Sequence, residues 1–315
     1  MTLPLPALHL PSGPAGTQIL GLGHAQPVRV MDNFELETIL DTNDEWIRQR
    51  TGIVTRHIAG EGETVATLAT DAAGMALSDS GLAASQIDLV VVATTTSQER
   101  SPNTAGRVAQ ALSLGADHRG PGVIEINTAC SGFEYALGIA DQAIRAGSAS
   151  HAIVVGAETL STVTDWTDRS TAVLVADGAG AAVVGPSAGP RIGPPDGKFS
   201  QNGREVLRWG LLDAVGHARE AVERAGLTLG DIEVLVAHQA NLRIIEPLAQ
   251  GLGLSDKVVV TDVIESGNTS AASVPLGLSK WWHAGRIPAD APALLFGFGG
   301  GFTYAGMVAM TPKRG

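Results

Sequence analysis

The sequence has almost no cysteine, the residue that cross-links a fold through disulfides or metal clusters. Its 315 residues include a single cysteine, Cys130, so a disulfide within the chain and a cysteine-cluster metal site are both excluded. Aromatic residues are only 4% and charged residues 17%, whereas 44% are hydrophobic and 39 are glycines. That composition is typical of a closely packed α/β protein, and the length fits about two domains or one large duplicated domain.

Basic residues and long apolar runs are also scarce. Lysine and arginine total 21 against 32 acidic residues, a net charge of −11, so we expect no nucleic-acid partner. No apolar run approaches the roughly 18 residues that a membrane span needs. Residues 1–16 are rich in proline and glycine and lack the features of an export signal, so we expect a loose leader. A lone thiol suits a cytoplasmic location.

The chain contains an internal repeat. Residues 81–93 recur at 226–237, and residues 127–131 are echoed by 268–272. Each copy then closes with a helical stretch and a short apolar strand. The repeat predicts a duplicated α/β fold with mixed, mostly parallel sheets that are covered by helices.

Helix and linker signals divide the repeat into halves. Residues 64–80 and 204–225 have the apolar spacing of amphipathic helices, and each is followed by a glycine. Prolines and glycines are concentrated in residues 186–203, which we interpret as the linker. The predicted halves are therefore 17–185 and 204–315.

Cys130 lies where a strand turns into a helix. The apolar residues 123–126 precede it, and residues 131–145 form a predicted helix. Unpaired N–H groups and the dipole at a helix N-terminus favour a thiolate, so Cys130 is the candidate nucleophile. The alternative is a buried structural cysteine.

A nucleophilic cysteine needs a histidine and an orienting group near it in space. His238 follows the strand at 234–237, where by the repeat it matches Ala93, and Asn268 matches the asparagine three residues before Cys130. The repeat therefore predicts that all three side chains project toward one strand-end face. The alternatives are a hydrogen-bonded structural histidine and a helix N-cap.

The glycine run at 299–301 follows another predicted strand, at 293–298. It can bring a backbone N–H close to a reacting carbonyl, or it can be a tight turn. It lacks the lysine and hydroxyl residue of a phosphate-binding loop, so nucleotide hydrolysis has no support.

A series of motifs resembles one family over nearly the whole chain. The motifs lie at 41–47, 50–53, 127–133, 177–181, 238–243, 267–273 and 299–303. The resemblance is to the β-ketoacyl-acyl-carrier-protein synthase III family of the thiolase superfamily. It implies a thiolase-like, duplicated, five-layered αβαβα fold and a homodimer.

The resemblance also implies a mechanism. The family's catalytic triad falls on Cys130, His238 and Asn268, and its oxyanion donors fall on the amides of Cys130 and Gly300. Cys130 would take an acyl group from acyl-coenzyme A, and malonyl-acyl-carrier protein would lose carbon dioxide and attack that thioester. Coenzyme A is a substrate here, so no cofactor and no metal are expected.

Binding residues are implied in the same way. The family's coenzyme A contacts fall on Thr42, Trp46, Arg50, Arg169, Gly203 and Asn241. Its carrier-protein docking positions fall on Gln239, Ala240, Asn241, Leu242, Arg243 and Arg208, which Lys257 would join. Because the carrier protein and this chain are both acidic, docking requires a local basic patch.

Two departures from the family affect the active-site entrance. The stretch between Gly185 and Gly203 is shorter than the family's usual run, which indicates either a more open active-site entrance or a sequence from which a flexible segment is missing. Ser101 stands where some relatives carry a phenylalanine that reaches the acyl pocket of the partner subunit. Pocket depth discriminates by roughly 1–3 kcal/mol per methylene, so a serine predicts tolerance of branched primers such as isobutyryl.

Two alternative functions stay open at the level of sequence. One is an acyltransferase of secondary metabolism that transfers the acyl group to an alcohol or amine; Asn268 argues against it, because plain acyl transfer needs no second enolate donor. The other is an inactive scaffold partner of a condensing enzyme. The presence of Cys130, His238 and Asn268 argues against that role.

Overall fold

The computed structural model describes residues 12–115, 120–199, 206–299 and 303–314. Its strands are β1 (Gly16–Ala25), β2 (Val30–Asp32), β3 (Thr55–His57), β4 (Leu89–Ala93), β5 (Gly122–Ile126), β6 (Ala152–Thr159), β7 (Asp177–Ser187), β8 (Asp196–Phe199), β9 (Val234–Ala237), β10 (Val258–Val259), β11 (Pro292–Gly299) and β12 (Thr303–Met310). Its helices are α1 (Asn33–Glu37), α2 (Asp44–Thr51), α3 (Val65–Ser80), α4 (Thr104–Ala111), α5 (Gly132–Arg145), α6 (Arg169–Ala172), α7 (Val206–Arg224), α8 (Leu242–Leu252), α9 (Val263–Ser266) and α10 (Ser273–His283).

Two five-stranded sheets repeat one topology. Their strand orders are β1-β7-β6-β4-β5 and β8-β12-β11-β9-β10. In the first sheet β6, β4 and β5 are parallel, whereas β7 is antiparallel to both of its neighbours, and the second sheet repeats this pattern strand for strand. The sheets are therefore mixed, with antiparallel pairs as frequent as parallel ones, because β7 and β12 run back beside β6 and β11.

The layers follow from which helix faces are apolar. Phe133 on α5 and Leu278 on α10 belong to one buried cluster with Val91 of the first sheet and Leu295 of the second. Helices α3 and α4 cover the outer face of the first sheet, and α7 and α8 cover that of the second. Because α5 and α10 lie between the sheets, the molecule has the five αβαβα layers that the resemblance implies.

The apolar spacing and the following glycine predicted the positions of α3 and α7. Helix α3 begins after Thr64, which caps it, and ends at Gly81, whose φ of +69° closes the last turn. Helix α7 runs within the predicted 204–225. The predicted linker at 186–203 holds strand β8, which pairs with β12. The boundaries of the halves stay predictions, and residues 1–11 of the expected leader lie outside the described residues.

A smaller unit lies beside the sheets. Strands β2 and β3 pair with each other, and they pack with α1, α2, α6, α8 and α9 around a separate apolar cluster that includes Met31, Ile47 and Ile53. Among the helices of the described ranges, none is both long and apolar enough to cross a bilayer.

Candidate active site

Cys130 lies in a turn between β5 and α5. It is the middle residue of a short 3-10 turn, Ala129–Ser131, and is partly exposed. Ala129 has a φ of +51°, and its N–H donates to Asn127 Oδ1 over 3.2 Å. Helix α5 starts directly after the turn, so its N-terminal dipole favours a negative charge on the sulfur.

A second turn has the same backbone. Asn268 precedes the 3-10 turn Ser270–Ala272, which leads into α10. Ser270 has a φ of +47°, and its N–H donates to Asn268 Oδ1 over 2.9 Å. Because the amide oxygen is engaged in this bond, the NH2 group is the part of Asn268 that can donate to a ligand.

Close packing joins the two turns. A Cβ on Gly132 would lie 2.8 Å from Ala93 Cβ and 3.3 Å from Ala271 Cβ, so only glycine fits where α5 begins. Gly156 of β6 packs so closely on the carbonyl of Ala271 that a side chain there would overlap it. The turns therefore meet at Ala93, the last residue of β4, and at Gly156, which pairs with it in β6.

His238 follows β9 at the corresponding end of the second sheet. Its N–H donates to Phe296 O over 2.8 Å, and only 2% of the residue is exposed. Burial lowers the pKa of His238 from 6.5 to about 3, so the ring is neutral at neutral pH.

Ser273 sets the orientation of that ring. Its Oγ lies 2.6 Å from His238 Nδ1 and accepts the N–H of Gln239 over 3.2 Å. We assign the hydroxyl proton to the bond with Nδ1, which leaves the ring proton on Nε2. A neutral Nε2–H is a hydrogen-bond donor suited to a developing oxyanion.

The end of β11 connects the histidine with the cysteine. The ring of Phe298 meets that of His238 edge-on, with centroids 5.3 Å apart. A Cβ on the next residue, Gly299, would lie 2.8 Å from Cys130 Sγ, so the backbone passes directly against the cysteine sulfur. Gly300, the expected second oxyanion donor, lies outside the described residues.

Strand β12 fixes the nucleophile turn from the other side. Thr303 Oγ1 donates to Thr128 O over 2.9 Å, and Ser131 Oγ lies within hydrogen-bond distance of both. Sequence reasoning missed Thr303, Gly299 and Ser273. The glycine run and the motif at 267–273 marked where they lie, but not what they contact.

Glu134 is a buried acid one helical turn after Cys130. Its exposure is 0%, and neither carboxyl oxygen has a hydrogen-bond partner among the described residues. Burial raises the pKa of Glu134 to about 8, so the group is protonated and uncharged at neutral pH. The carboxyl group packs against Gly297, where a side chain would overlap it.

The predicted coenzyme A residues fall into two groups. The Arg169 guanidinium carbon lies 4.9 Å from the ring centroid of Trp46, and Arg169 Nη1 donates to Asp41 O over 2.8 Å. Asn241 caps α8 and donates through Nδ2 to Arg50 O over 3.1 Å. Thr42 is half-buried, and its Oγ1 has no partner within the described ranges. Gly203 lies outside the described residues.

The predicted docking positions are not all on the surface. Gln239 is 1% exposed, its Nε2 donates to Ala237 O and Val260 O, and its Oε1 accepts the N–H of Val263. A carrier protein cannot reach this side chain, which corrects its expected role. Gln239 is the second residue after β9 and points into the core, where its amide satisfies three backbone groups.

The other docking candidates are accessible to different degrees. Arg243 is exposed and donates through Nε to Gln49 O over 2.9 Å, whereas Ala240 and Leu242 are half-buried. Lys257 pairs with Glu233 over 3.0 Å. Arg208 belongs to α7, but its side chain is not among those that the structure describes.

Ser101, the expected acyl-pocket residue, is exposed in the loop between β4 and α4. Its role in the pocket of a second subunit stays a prediction.

One group of side chains has the composition of a metal site. Potential ligand atoms of Asp196, His217 and Glu220 lie within 4.8 Å of one another. The Arg224 guanidinium lies 3.4 Å from Asp196 Oδ1, and the His217 ring stacks on Tyr304 with centroids 3.9 Å apart. The Arg224 guanidinium would compete with a metal ion for the Asp196 carboxylate. The expectation that the chain binds no metal stays a prediction.

Comparisons with known proteins show which family the chain resembles in sequence and fold. Family models described as 3-oxoacyl-[acyl-carrier-protein] synthase III and its C-terminal part match residues 124–198 and 222–310. The chain is 50% identical to beta-ketoacyl-[acyl-carrier-protein] synthase III 4 of Streptomyces coelicolor, over 94% of this chain and 99% of that protein. The solved structure of a priming β-ketosynthase from the R1128 polyketide pathway superposes with a TM-score of 0.93 at 39% identity, covering 98% of this chain and 100% of the other. The synthase III of Aquifex aeolicus VF5 gives a TM-score of 0.87 at 38% identity, covering 94% and 100%.

Proposed function

The chain belongs to the β-ketoacyl-acyl-carrier-protein synthase III family, and from that membership we propose how its residues carry out the family's reaction. The chain is a condensing acyltransferase that joins an acyl group from acyl-coenzyme A to malonyl-acyl-carrier protein and so initiates fatty-acid or polyketide synthesis. Coenzyme A enters as a thioester substrate, and the reaction needs no cofactor.

Cys130 carries the first half-reaction. Its thiolate attacks the thioester carbonyl of acyl-coenzyme A, a new S–C bond forms, and the coenzyme A thiolate leaves. The observation that carries this assignment is a partly exposed cysteine at the N-terminal turn of a buried helix, with the backbone of Gly299 against its sulfur. The amides of Cys130 and Gly300 stabilise the tetrahedral oxyanion.

His238 and Asn268 carry the second half-reaction. Malonyl-acyl-carrier protein loses carbon dioxide, and the electron pair of the broken C–C bond forms an enolate. His238 Nε2–H and the Asn268 NH2 group donate to the enolate oxygen. The enolate carbon then attacks the acyl-Cys130 thioester, and the cysteine thiolate leaves as the β-ketoacyl product forms.

The pKa of His238 matters for this step. With a pKa of about 3, the His238 ring remains neutral during turnover. It therefore donates a hydrogen bond to the enolate oxygen without transferring a proton to it. Each preorganised oxyanion donor contributes about 2.7–4 kcal/mol to such a step. Asn268, which precedes the duplicated turn, is the second donor in this proposal.

The remaining binding residues extend the proposal to the entrance. Coenzyme A is held by Thr42, Trp46, Arg50, Arg169, Gly203 and Asn241. Trp46 and Arg169 already stack on each other, so an adenine ring enters only when they separate. The carrier protein docks on Arg243 and Arg208, with Lys257, Leu242, Ala240 and Asn241 beside them.

A homodimer follows from the edge of the first sheet. Strand β5 ends that sheet, and its Val123 and Ile124 are 41% and 37% exposed. An apolar edge strand is a template for pairing, and a second copy of β5 covers it in this proposal. Ile124→Lys would then give a monomer in sedimentation analysis, whereas exposed Val163→Lys would leave the dimer intact.

Primer range and location complete the proposal. A serine at position 101 leaves room at the floor of the partner's acyl pocket, so isobutyryl primers are accepted along with acetyl. The protein acts in the cytoplasm, where a lone cysteine stays reduced.

Intact-mass analysis tests the proposed function. Wild-type protein incubated with acetyl- or isobutyryl-coenzyme A should gain one acyl mass, and malonyl-acyl-carrier protein should discharge it as a β-ketoacyl product. Cys130→Ala should gain no mass. An adduct that malonyl-acyl-carrier protein cannot discharge would favour the acyltransferase alternative, no adduct would favour the scaffold, and acylation by acetyl alone would overturn the primer range.

A further inference from the structure

Arg56 is a buried charged residue whose hydrogen bonds within the described residues all go to neutral groups, although the charge of nearby Asp32 favours its protonated form. It lies in the middle of β3 with an exposure of 0%. Its Nη1 donates to Asn33 Oδ1 over 2.9 Å and its Nη2 to Val173 O over 3.1 Å, while Nε has no partner among the described residues. Burial lowers the pKa of Arg56 to about 10, which still leaves it charged at neutral pH. Burying a charge that is hydrogen-bonded only to neutral acceptors is costly for a fold.

One arm of the guanidinium leads to Asn268. Val173 begins a short segment, residues 173–176, that pairs with Asn268: the Asn268 N–H donates to Leu174 O over 2.9 Å, and the Ala176 N–H donates to Asn268 O over 2.9 Å. The carbonyl that Arg56 holds is therefore next in the chain to the carbonyl that holds Asn268.

The aliphatic stem of Arg56 packs against Gly267, the residue before Asn268. Gly267 has a φ of +69°, and a Cβ there would lie 3.2 Å from Arg56 Cβ and 2.9 Å from Ala176 Cβ. The backbone beside Arg56 also holds the approach to this glycine, since the Val54 N–H donates to Ile264 O over 2.8 Å. Both the stem and the head of Arg56 thus fix the segment that presents Asn268.

The other arm leads to the entrance. Asn33 donates through Nδ2 to Asp44 Oδ1 and to Ile53 O, both over 2.9 Å. Asp44 is the first residue of α2, the helix that carries Trp46. Val173 is also the residue that caps α6, which begins at Arg169. Arg56 therefore contacts the supports of both side chains of the Trp46–Arg169 stack.

We propose that Arg56 is a positioning residue that holds the Asn268 amide in register with the acyl-coenzyme A entrance. It touches no substrate and acts through Val173 and Asn33. A planar guanidinium can reach both acceptors at once, which a lysine ammonium at the end of its stem cannot match. This role rests on the proposed function, because it assigns Asn268 to condensation and Trp46 to coenzyme A.

Separate half-reactions test the proposal. Arg56→Met keeps the apolar stem and removes both bonds. At saturating acyl-coenzyme A, acylation of Cys130 should change by less than about twofold, whereas discharge by malonyl-acyl-carrier protein should slow by about tenfold, as expected when a supporting network is cut. The KM for acyl-coenzyme A should rise severalfold. Arg56→Lys should recover part of the discharge rate, and exposed Arg29→Met, beside β2, should change neither half-reaction.

Asn33→Ala provides a second, independent variant. It cuts the arm toward α2 and leaves the bond to Val173, so the KM for acyl-coenzyme A should rise while discharge of preformed acyl-enzyme stays within about twofold of wild type. Should Arg56→Met fail to fold, Arg56→Lys and Asn33→Ala carry the same contrast.

The outcomes distinguish this inference from the proposed function. If wild-type protein neither acylates nor condenses, the proposed function fails. If wild type does both, but the folded Arg56 variants lose both half-reactions equally or lose neither, the positioning role is overturned while the proposed function stands.

Discussion

The turn before α5 and the turn before α10 have one backbone and different chemistry. Each begins with an asparagine that accepts an N–H two residues on, and each contains a residue with positive φ. The middle residue is Cys130, partly exposed, in one turn and Ala271, 1% exposed, in the other. The duplication thus supplies two similar turns, and in the proposed mechanism one carries the nucleophile and the other the donor amide of Asn268.

The helices that follow differ in the same way. The third residue of α5 is Glu134, and the third residue of α10 is Pro275. A proline is well tolerated in a first helical turn, because its missing N–H has no partner there anyway. A buried, unpartnered acid has no such structural advantage, so the nucleophile half carries a cost in stability that its counterpart avoids.

The largest expected effect comes from removing the sulfur of Cys130, which is the main chemical difference between the two turns. Cys130→Ala should lose the acyl adduct and all condensation, because no other thiol exists in the chain. Moving the thiol to the counterpart turn, in the double variant Cys130→Ala with Ala271→Cys, should not restore it, since position 271 is closed to substrate. Acyl adduct mass reports the result, and recovery of the adduct in the double variant would show that the two turns are equivalent.

The histidine gives the next largest effect. His238 lies at a strand end that corresponds to Ala93 in the first half, and His238→Ala should reduce condensation by about 100- to 1,000-fold through loss of one oxyanion donor.

Because the pKa of His238 is about 3, the folded state excludes the proton that the unfolded state binds below pH 6.5. Stability from this group is present above pH 6.5 and falls as the pH drops toward 3.

That assignment has a direct pH readout. The rate of the condensation step in wild type should show no titration near pH 6.5. A limb at that pH that disappears in the His238→Ala variant would mean that the ring is charged in part of the working range.

Glu134 gives an effect on stability. Its pKa is raised from 4.5 to about 8, so the folded state keeps a proton that the unfolded state releases, and the free energy of unfolding declines as the pH rises between those values. Glu134→Gln should remove that decline, so its stability relative to wild type should be about 2 to 3 kcal/mol greater at pH 7 than at pH 5. Denaturant unfolding at the two pH values measures it, with exposed Glu61→Gln as control. An equal effect at both pH values would contradict burial as the cause.

The smallest effect concerns the asparagine of the first turn. Asn127→Ala removes the cap on the Ala129 N–H and should cost about 1 kcal/mol of unfolding free energy. The condensation step should be nearly unchanged, in contrast to Asn268→Ala. A loss of condensation in Asn127→Ala, with acylation intact, would mean that both asparagines act as donors.

Much of this arrangement is visible in the sequence because it is periodic or local. The repeat predicted the duplicated fold and the strand ends that carry Cys130 and His238. The apolar spacing and a following glycine predicted the helix over 64–80. The ordered motifs predicted the synthase III family, and the comparisons confirm that family.

What the sequence did not show depends on contacts between distant segments. Arg56 is one arginine among many until its buried acceptors, Asn33 and Val173, are known. Ser273 and Gly299 gain their meaning from a ring and a sulfur far away in the chain. Gln239 matched a docking position by motif, yet its environment turned it inward, since burial is decided by tertiary packing.

The central claim is that the two turns divide one reaction between them, and the most direct measurement is the time course of acyl-Cys130 discharge in Asn268→Ala. The account predicts that this variant acylates at close to the wild-type rate and that malonyl-acyl-carrier protein then discharges the adduct about 100-fold more slowly. Discharge at the wild-type rate, or a failure to acylate in a correctly folded variant, would contradict it.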